Sequence, residues 1–290
     1  MDIQNIGIFY FSGTGNTQLV ANLFANEFKR KGFSTKLIPI EDILNKKFAL
    51  STGDYDLLGF GHPVHAFSAP KIFFDFLDRW SNVDDKKAFT FKTAGDPLCS
   101  GGSTSLVRKQ LSKKGYKVFH KNLIIMPANV MFKYNDSLIK QLYEVAVKKV
   151  KKGTNKILLG KINLQKNSLL LKIGTYLFNK AESSGASYFG KYLITTDSCN
   201  LCGKCIRECP TGNISISNKK LIFGNKCTLC MRCVYNCPEK AISNKYMNFF
   251  VIKEGYNIQN VIDDPMIKGN YITHKTKGFF KHFYKYMSEY

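Results

Sequence analysis

Apolar runs alternate with helical periodicity along the N-terminal half of the chain. Ile6–Phe11 is apolar at almost every position, which is typical of a strand buried on both faces of a parallel sheet. Apolar residues then recur at helical spacing from Leu19 to Phe28, and Gly32 ends this predicted helix. Further strands are predicted at Ser34–Ile40, Tyr55–Phe60, Ala88–Thr93 and within Tyr116–Met126. Strands that alternate with helices predict a doubly wound parallel α/β sheet with right-handed crossovers.

The helices that separate and follow these strands are predicted at Pro70–Trp80, Ser103–Lys113 and Ser137–Lys152. With 290 residues, the chain has room for two or three domains. We expect an α/β domain over residues 1–152, a connector over 153–190, a cysteine-rich module over 191–245 and a tail over 246–290. The connector contains an apolar helix pattern at Leu169–Phe178, followed by a small, polar linker. The tail ends in aromatic residues among lysines, which predicts an amphipathic helix that packs on the body of the protein.

The composition excludes some classes of protein and favours others. No stretch of eighteen apolar residues occurs, so no transmembrane helix is expected. The start, MDIQNIGIFYF, lacks the features of a signal peptide, which predicts a cytoplasmic protein. The net charge is +22, and lysines concentrate between Lys140 and Lys191. Part of this excess could offset anionic cofactors, and the rest could steer an acidic redox partner. No nucleic-acid recognition element accompanies it, so nucleic-acid binding is not expected.

Eight of the nine cysteines form two copies of C-x2-C-x2-C-x3-C-P. This is the spacing by which small bacterial ferredoxins hold two [4Fe–4S] clusters, with the last cysteine of each run bound to the other cluster. The spacing therefore predicts two ligand sets. The first set is Cys199, Cys202, Cys205 and Cys237, and the second set is Cys227, Cys230, Cys233 and Cys209. The module is too short to bury much apolar area, so the clusters are expected to stabilise it.

Zinc and disulfides are the alternatives for these cysteines. Structural zinc sites usually use two separated CxxC pairs instead of four cysteines within eleven residues. Disulfides would require an oxidising compartment, which the start of the chain does not indicate. The ninth cysteine, Cys99, stands alone and is expected to be a small buried apolar residue without a catalytic role.

A loop rich in glycine and hydroxyl groups joins the first predicted strand to the first helix. It consists of Ser12, Gly13, Thr14, Gly15, Asn16 and Thr17, and we call it the phosphate loop. Its backbone N–H groups, its hydroxyls and the helix N-terminus together suit an anionic phosphate. The loop has neither the Gly-Lys-Ser/Thr ending of a Walker loop nor the GxGxxG pattern, and it contains no lysine or arginine.

The phosphate loop resembles the [S/T]-x-T-G-x-T loop of the flavodoxin family, and the resemblance extends over about residues 1–150. It implies strand order 2-1-3-4-5 and an FMN whose 5′-phosphate binds this loop. It also implies that the loops after strands three and four enclose the flavin ring, with contacts from Pro63, His65, Phe67, Ala94, Gly95 and Asp96. The tryptophan and tyrosine that sandwich the ring in typical flavodoxins are missing from these loops, where His65, Phe67 and Leu98 are the available substitutes. His62 and His65 are expected to contact the flavin and not to transfer protons.

The two halves together resemble the flavodoxin–ferredoxin fusion proteins of anaerobic bacteria, the EFR-type ferredoxins. This resemblance implies electron transfer inside the cell and no defined substrate. The favoured hypothesis is a carrier that relays electrons between two [4Fe–4S] clusters and FMN, and on to a redox partner protein. A second hypothesis is a flavin-dependent reductase of a small acceptor, fed by its own ferredoxin module. A third is a flavodoxin fold that has lost its flavin and serves as a docking module.

Overall fold

The computed structural model describes residues 3–45, 52–65, 67–98, 102–164 and 184–289. A five-stranded parallel sheet forms the centre of the N-terminal half, in the order β2-β1-β3-β4-β5. Its strands are β1 (Asn5–Tyr10), β2 (Ser34–Pro39), β3 (Leu57–Pro63), β4 (Lys86–Ala94) and β5 (Tyr116–Ile125). This order confirms the predicted doubly wound α/β fold.

Helices cover both faces of the sheet. They are α1 (Asn16–Arg30), α2 (Ile40–Leu44), α3 (Lys71–Arg79), α4 (Ser103–Lys113) and α5 (Asp136–Leu158). One face packs against α1 and α5 through a core that includes Phe24, Phe28 and Phe91. The other packs against α3 and α4 around Trp80 and Phe60. The helix predicted to end at Lys152 continues to Leu158, because Thr154 and Ile157 still face this core.

The cysteine-rich module is built from short elements. Two strands, β6 (Leu193–Thr195) and β9 (Ile242–Asn244), pair antiparallel, and β7 (Ile214–Ser217) forms a hairpin with β8 (Lys220–Phe223). Two single-turn helices, α7 (Lys204–Arg207) and α8 (Arg232–Tyr235), follow the cysteine loops. Among the described residues, the main apolar cluster of the module has partly buried side chains around five buried members: Phe189, Leu193, Met231, Val234 and Ile242.

The connector differs from its prediction in the part that the structure describes. Residues 184–191 form a helix (α6) where a small, polar linker was predicted. Its Ala186 and Phe189 are buried, three residues apart on one face. Phe189 packs in the core of the module, and this contact stabilises the helix in spite of its polar composition. The apolar helix predicted at Leu169–Phe178 and the lone Cys99 lie outside the described residues. None of the described helices is both long enough and apolar enough to cross a bilayer.

The C-terminal tail packs on the α/β domain through two short helices, α9 (Gln259–Asp263) and α10 (Phe283–Met287). Val261, Ile262 and Phe283 are buried in the same core as α1 and α5. The tail also supplies a hydrogen-bond acceptor to β5, which is an edge strand of the sheet. The backbone N–H of Ile125 donates to the hydroxyl of Tyr286 over 2.8 Å in a buried position.

We expect Tyr286→Phe to lower the free energy of unfolding by about 1–3 kcal/mol, because it leaves a buried N–H without an acceptor. Denaturant unfolding of the purified variant measures this change. Tyr284→Phe, which alters the exposed tyrosine of the same helix, is the matched control and should lie within about 0.5 kcal/mol of the parent. Equal stabilities of the two variants would show that this hydrogen bond contributes nothing.

Candidate cofactor sites

The cysteine module contains two small cavities, and each is lined by four cysteines. Cys199, Cys202, Cys205 and Cys237 line one cavity. Cys209, Cys227, Cys230 and Cys233 line the other. The structure thus brings together the two sets that the spacing predicts. Among the described residues, no group of three or more His, Cys, Asp or Glu side chains is close enough to hold a single metal ion.

Burial raises the pKa of three of the thiols around these cavities. Burial raises the pKa of Cys230 to about 11. Burial, followed by the neighbouring cysteines, raises the pKa of Cys233 well above its usual value, and burial also raises the pKa of Cys205. Four thiolates that converge in such a site need compensating positive charge, which the iron ions of a cluster supply. The donor set therefore fits [4Fe–4S] ligation.

Backbone amides already point at several cysteine sulfurs. The N–H of Asn213 donates to Sγ of Cys209 over 3.2 Å, and the N–H of Ala241 donates to Sγ of Cys237 over 3.3 Å. Each donor follows its cysteine by four residues, so the two runs repeat the same local geometry. Hydrogen bonds to sulfur stabilise the reduced, more negative form of a cluster and raise its reduction potential.

The two cysteine loops repeat each other in their backbone as well. Leu201 and Leu229 have φ of 55° and 52°, and Gly203 and Met231 have φ of 71° and 63°. A left-handed residue thus precedes both α7 and α8. The first copy uses glycine at this position, and the second copy places Met231 there, with its side chain buried in the module core.

The phosphate loop connects β1 to α1 in a conformation that suits an anion. Gly15 has φ of 100°, and neither a side-chain cap nor an acidic residue occupies the first turn of α1. Within the described residues, the backbone N–H groups of residues 13–17 have no hydrogen-bond acceptor. The hydroxyl of Ser12 is also buried without a partner. Unpaired donors that converge at a helix N-terminus fit a phosphate group.

A cavity of about 120 Å³ lies beside the phosphate loop, at the carboxyl ends of the strands. The predicted site residues that line it are Ser12, Gly13, Thr14, Asn16, Thr17, Pro63, His65, Ala94 and Gly95. Gly15, Phe67 and Asp96 are not among the lining residues. Its volume is below the roughly 300 Å³ of the smallest typical ligand pockets. The cavity therefore has room for the phosphate end of FMN and not for its ring.

The loop after β5 is a part of this site that sequence reasoning missed. Pro127, Ala128, Asn129 and Val130 line the cavity. The amide of Asn129 donates to the hydroxyl of Thr14 over 2.9 Å, and the amide of Asn16 donates to the carbonyl of Pro127 over 2.8 Å. The hydroxyl of Tyr256, from the tail, lies 2.8 Å from Oδ1 of Asn16. No local motif marks these residues, because long-range packing brings them to the phosphate loop.

Three residues predicted to contact the flavin do not line the cavity beside the phosphate loop. Asp96 pairs through Oδ2 with Nε2 of His282 in the tail, at 2.7 Å. Leu98 is 72% exposed. His62 does not line the cavity but packs on Phe73 of α3, with ring centroids 5.1 Å apart. Burial lowers the pKa of His62 to about 3, so its imidazole is neutral at physiological pH.

The second cysteine set lies directly against the phosphate loop. Arg232, between Cys230 and Cys233, donates from Nη2 to the carbonyl of Ser12 over 2.5 Å and from Nε to the carbonyl of Gly13 over 3.2 Å. Nη2 also donates to Oε1 of Glu41, at the start of α2. The candidate site of the second cluster and the candidate phosphate site therefore share one interface.

A described protein family matches part of the cysteine-rich module. Residues 198–242 match the family model described as "4Fe-4S dicluster domain". An uncharacterized protein of Methanocaldococcus jannaschii is 31% identical over 103 residues, which are 36% of this chain and 62% of that protein. This chain thus spans less than two thirds of the curated relative that it matches.

Solved structures similar to this chain include two flavodoxins. One, from the domain Archaea, is 18% identical and covers 53% of this chain and 99% of its own, with a TM-score of 0.38. The other, a short-chain flavodoxin associated with a non-canonical PDU bacterial microcompartment, is 14% identical and covers 55% of this chain and 99% of its own, with a TM-score of 0.40.

The sheet order and the dicluster domain define an iron–sulfur protein with a flavodoxin-like N-terminal half. The chain therefore combines a sheet of flavodoxin-like strand order with a segment that matches a 4Fe-4S dicluster domain, and this combination supports a role in electron transfer.

Proposed function

We propose that this protein carries electrons between two [4Fe–4S] clusters and one FMN, and on to a separate redox protein. The contact between the second cysteine set and the phosphate loop carries the proposal. A Cβ at Gly13 would lie 2.5 Å from the carbonyl oxygen of Cys230, so the backbones of the two sites touch. Such contact gives electrons a short path between the sites.

The residues of each site have distinct roles in this proposal. The first and second cysteine sets would each hold one cluster, and clusters of this type carry single electrons. Ser12 and the backbone N–H groups of residues 13–17 would bind the phosphate of FMN. FMN, when bound, connects one-electron to two-electron chemistry. Cys230 is buried and packs in the core of the α/β domain, which keeps water from that side of the second set.

The charge of the chain supports an acidic partner. A net charge of +22 gives a long-range attraction to an anionic surface and raises the association rate at low salt. Association with an acidic redox protein should therefore slow steeply as ionic strength rises.

Anaerobic purification followed by cofactor analysis tests the proposed function. We expect about eight irons and about one FMN per chain, with two EPR-active clusters and a separate flavin signal in a redox titration. The holoprotein should pass electrons to a redox protein and leave small acceptors unreduced. Turnover of a small acceptor without a second protein would instead favour a reductase. Zinc, or iron without flavin, would contradict the proposal.

Ser12→Ala should weaken FMN binding by about 10- to 150-fold, because a hydroxyl that donates to a charged group contributes about 1.5–3 kcal/mol. The same change should not lower the stability of the flavin-free protein, since the buried hydroxyl has no partner there. Fluorescence titration with FMN and denaturant unfolding measure the two effects. Ser34→Ala, on an exposed serine at the opposite end of the sheet, is the control. Parallel losses of affinity and stability would contradict a direct contact with the phosphate.

A further inference from the structure

We infer that Arg232 makes the ferredoxin module part of the flavin phosphate site, so that FMN binding and integrity of the second cluster support each other. This inference rests on the proposed FMN and clusters, and it adds a positioning residue that the phosphate-loop pattern does not contain. Arg232 reaches the loop from the far side and does not line the cavity. Its role is to orient the loop, and the phosphate itself would contact the loop's own donors.

The contacts of Arg232 hold two consecutive peptide groups of the phosphate loop. Nε donates to the carbonyl of Ser12 over 3.1 Å and to the carbonyl of Gly13 over 3.2 Å, and Nη2 donates to the carbonyl of Ser12 over 2.5 Å. No cis peptide occurs among the described residues, and in a planar trans peptide the C=O and N–H bonds point in opposite directions. Fixing these carbonyls toward Arg232 therefore turns the N–H groups of Gly13 and Thr14 away from it.

The bonds to Arg232 also improve these N–H groups as donors. A carbonyl that accepts from a guanidinium is polarised, and the N–H of the same peptide becomes a stronger donor. The cavity beside the loop is lined by Gly13 and Thr14, and Arg232 is not among its lining residues. The polarised N–H groups therefore lie on the side of the loop where a phosphate would bind.

Glu41 balances the charge of Arg232 at this interface. Its Oε1 accepts from Nη2 of Arg232, and the two side chains are only 10% and 20% exposed. Its Oε2 is buried without a partner. If Arg232 lost its charge, a buried carboxylate would face the phosphate site uncompensated and would repel a phosphate dianion. The charge of Arg232 thus strengthens FMN binding, whereas the charge of Glu41 opposes it.

The duplicated cysteine loops indicate that this contact belongs to the second copy alone. Lys204 occupies the position in the first copy that Arg232 occupies in the second, since each directly precedes the third cysteine of its run. The Lys204 side chain is 43% exposed and lies 3.9 Å from Glu208. It therefore provides a matched control within the same chain.

The shared interface couples FMN binding and docking of the second cysteine loop in both directions. If the docked second cysteine loop strengthens FMN binding by some factor, bound FMN stabilises that docked loop by the same factor. Disassembly of the second cluster would free the loop that carries Arg232 and so release the phosphate loop. Bound FMN should accordingly slow the loss of about four of about eight irons to a chelator.

The test is anaerobic FMN titration, by flavin fluorescence, of the holoprotein and four variants, each assayed for iron. We expect Arg232→Gln to weaken FMN binding at least tenfold, which corresponds to about 1.4 kcal/mol. Arg232→Lys, which keeps the charge without the planar fork, should lie between Arg232→Gln and the parent. Lys204→Gln should change affinity less than twofold, and Glu41→Gln should not weaken it. FMN should slow iron release in the parent and not in Arg232→Gln.

The outcomes separate this inference from the proposed function. Parent protein that binds no FMN contradicts the proposed function itself. If Arg232→Gln retains its iron and binds FMN as tightly as the parent protein, only the role of Arg232 is overturned. If Arg232→Gln lacks iron, the same comparison is made with Arg232→Lys. Equal weakening by Arg232→Gln and Glu41→Gln also overturns it, because that result indicates general damage to the interface and not an oriented, charge-dependent site.

Discussion

Alanine replacement of Cys209 together with Cys227 is expected to leave about four of about eight irons in the purified protein. The two residues lie in different sequence runs, but both line the same cavity. The first set, Cys199, Cys202, Cys205 and Cys237, lines the other cavity and keeps all four of its thiols. One cluster thus loses two ligands, and the other loses none.

Replacing Cys199 together with Cys209 should have a different result, although it also removes two cysteines. These residues belong to the same run and line different cavities. Each cluster then loses one ligand, so both become labile and no intact [4Fe–4S] signal of parental intensity should remain. If ligation followed the sequence runs, the outcomes of the two double variants would be exchanged.

Iron and sulfide analysis, together with EPR of the reduced protein, measures both variants against the parent. Cys99→Ala is the control, because Cys99 lies outside both cysteine runs, and it should retain about eight irons. A Cys209/Cys227 variant without any intact cluster, next to a Cys199/Cys209 variant with one, would falsify the crossed ligand sets.

The sheet could be predicted because its signals are local. Runs such as Ile6–Phe11 are apolar on both faces, and this pattern leaves few alternatives to a buried parallel strand. The helix at Ser103–Lys113 was predicted with the bounds that it has in the structure. The ends of β3 and α5 were underestimated, because tertiary packing extends both elements beyond their local pattern.

The candidate sites were predictable only where one segment supplies them. The phosphate loop and the cysteine runs are each encoded by consecutive residues, so their spacing indicates their chemistry. Asn129, Tyr256 and Arg232 reach the phosphate loop from distant parts of the chain, at separations of 115, 240 and 220 residues. Nothing in the sequence near these residues indicates which carbonyl or hydroxyl they will meet. The orientation of His62 toward Phe73 was missed for the same reason.

Removal of iron with a chelator under reducing, anaerobic conditions should unfold the ferredoxin module and leave the α/β domain folded. In the part of the chain that the structure describes, the main apolar cluster of the module has five buried side chains, and its two sheets have two strands each. Two-stranded sheets are marginally stable in water without further support. The α/β domain has a five-stranded sheet with a separate large core on each face. Cluster ligation is therefore the main source of stability in the module and contributes little to the sheet.

Hydrogen exchange detected by mass spectrometry distinguishes the two domains. After iron removal, peptides covering β6 to β9 should exchange at nearly the rate of an unstructured chain, and peptides covering β1, β3 and β4 should keep their protection. The phosphate loop provides the more sensitive comparison. It follows β1 directly, but its carbonyls are held by Arg232 of the module. In FMN-loaded protein, the phosphate of FMN would accept from the N–H groups of this loop. Peptides with residues 12–17 should therefore lose protection together with the module, because the freed loop would release FMN, while peptides of β1 keep theirs. Loss of protection in β1, β3 and β4 as well would mean that the two domains unfold as one unit.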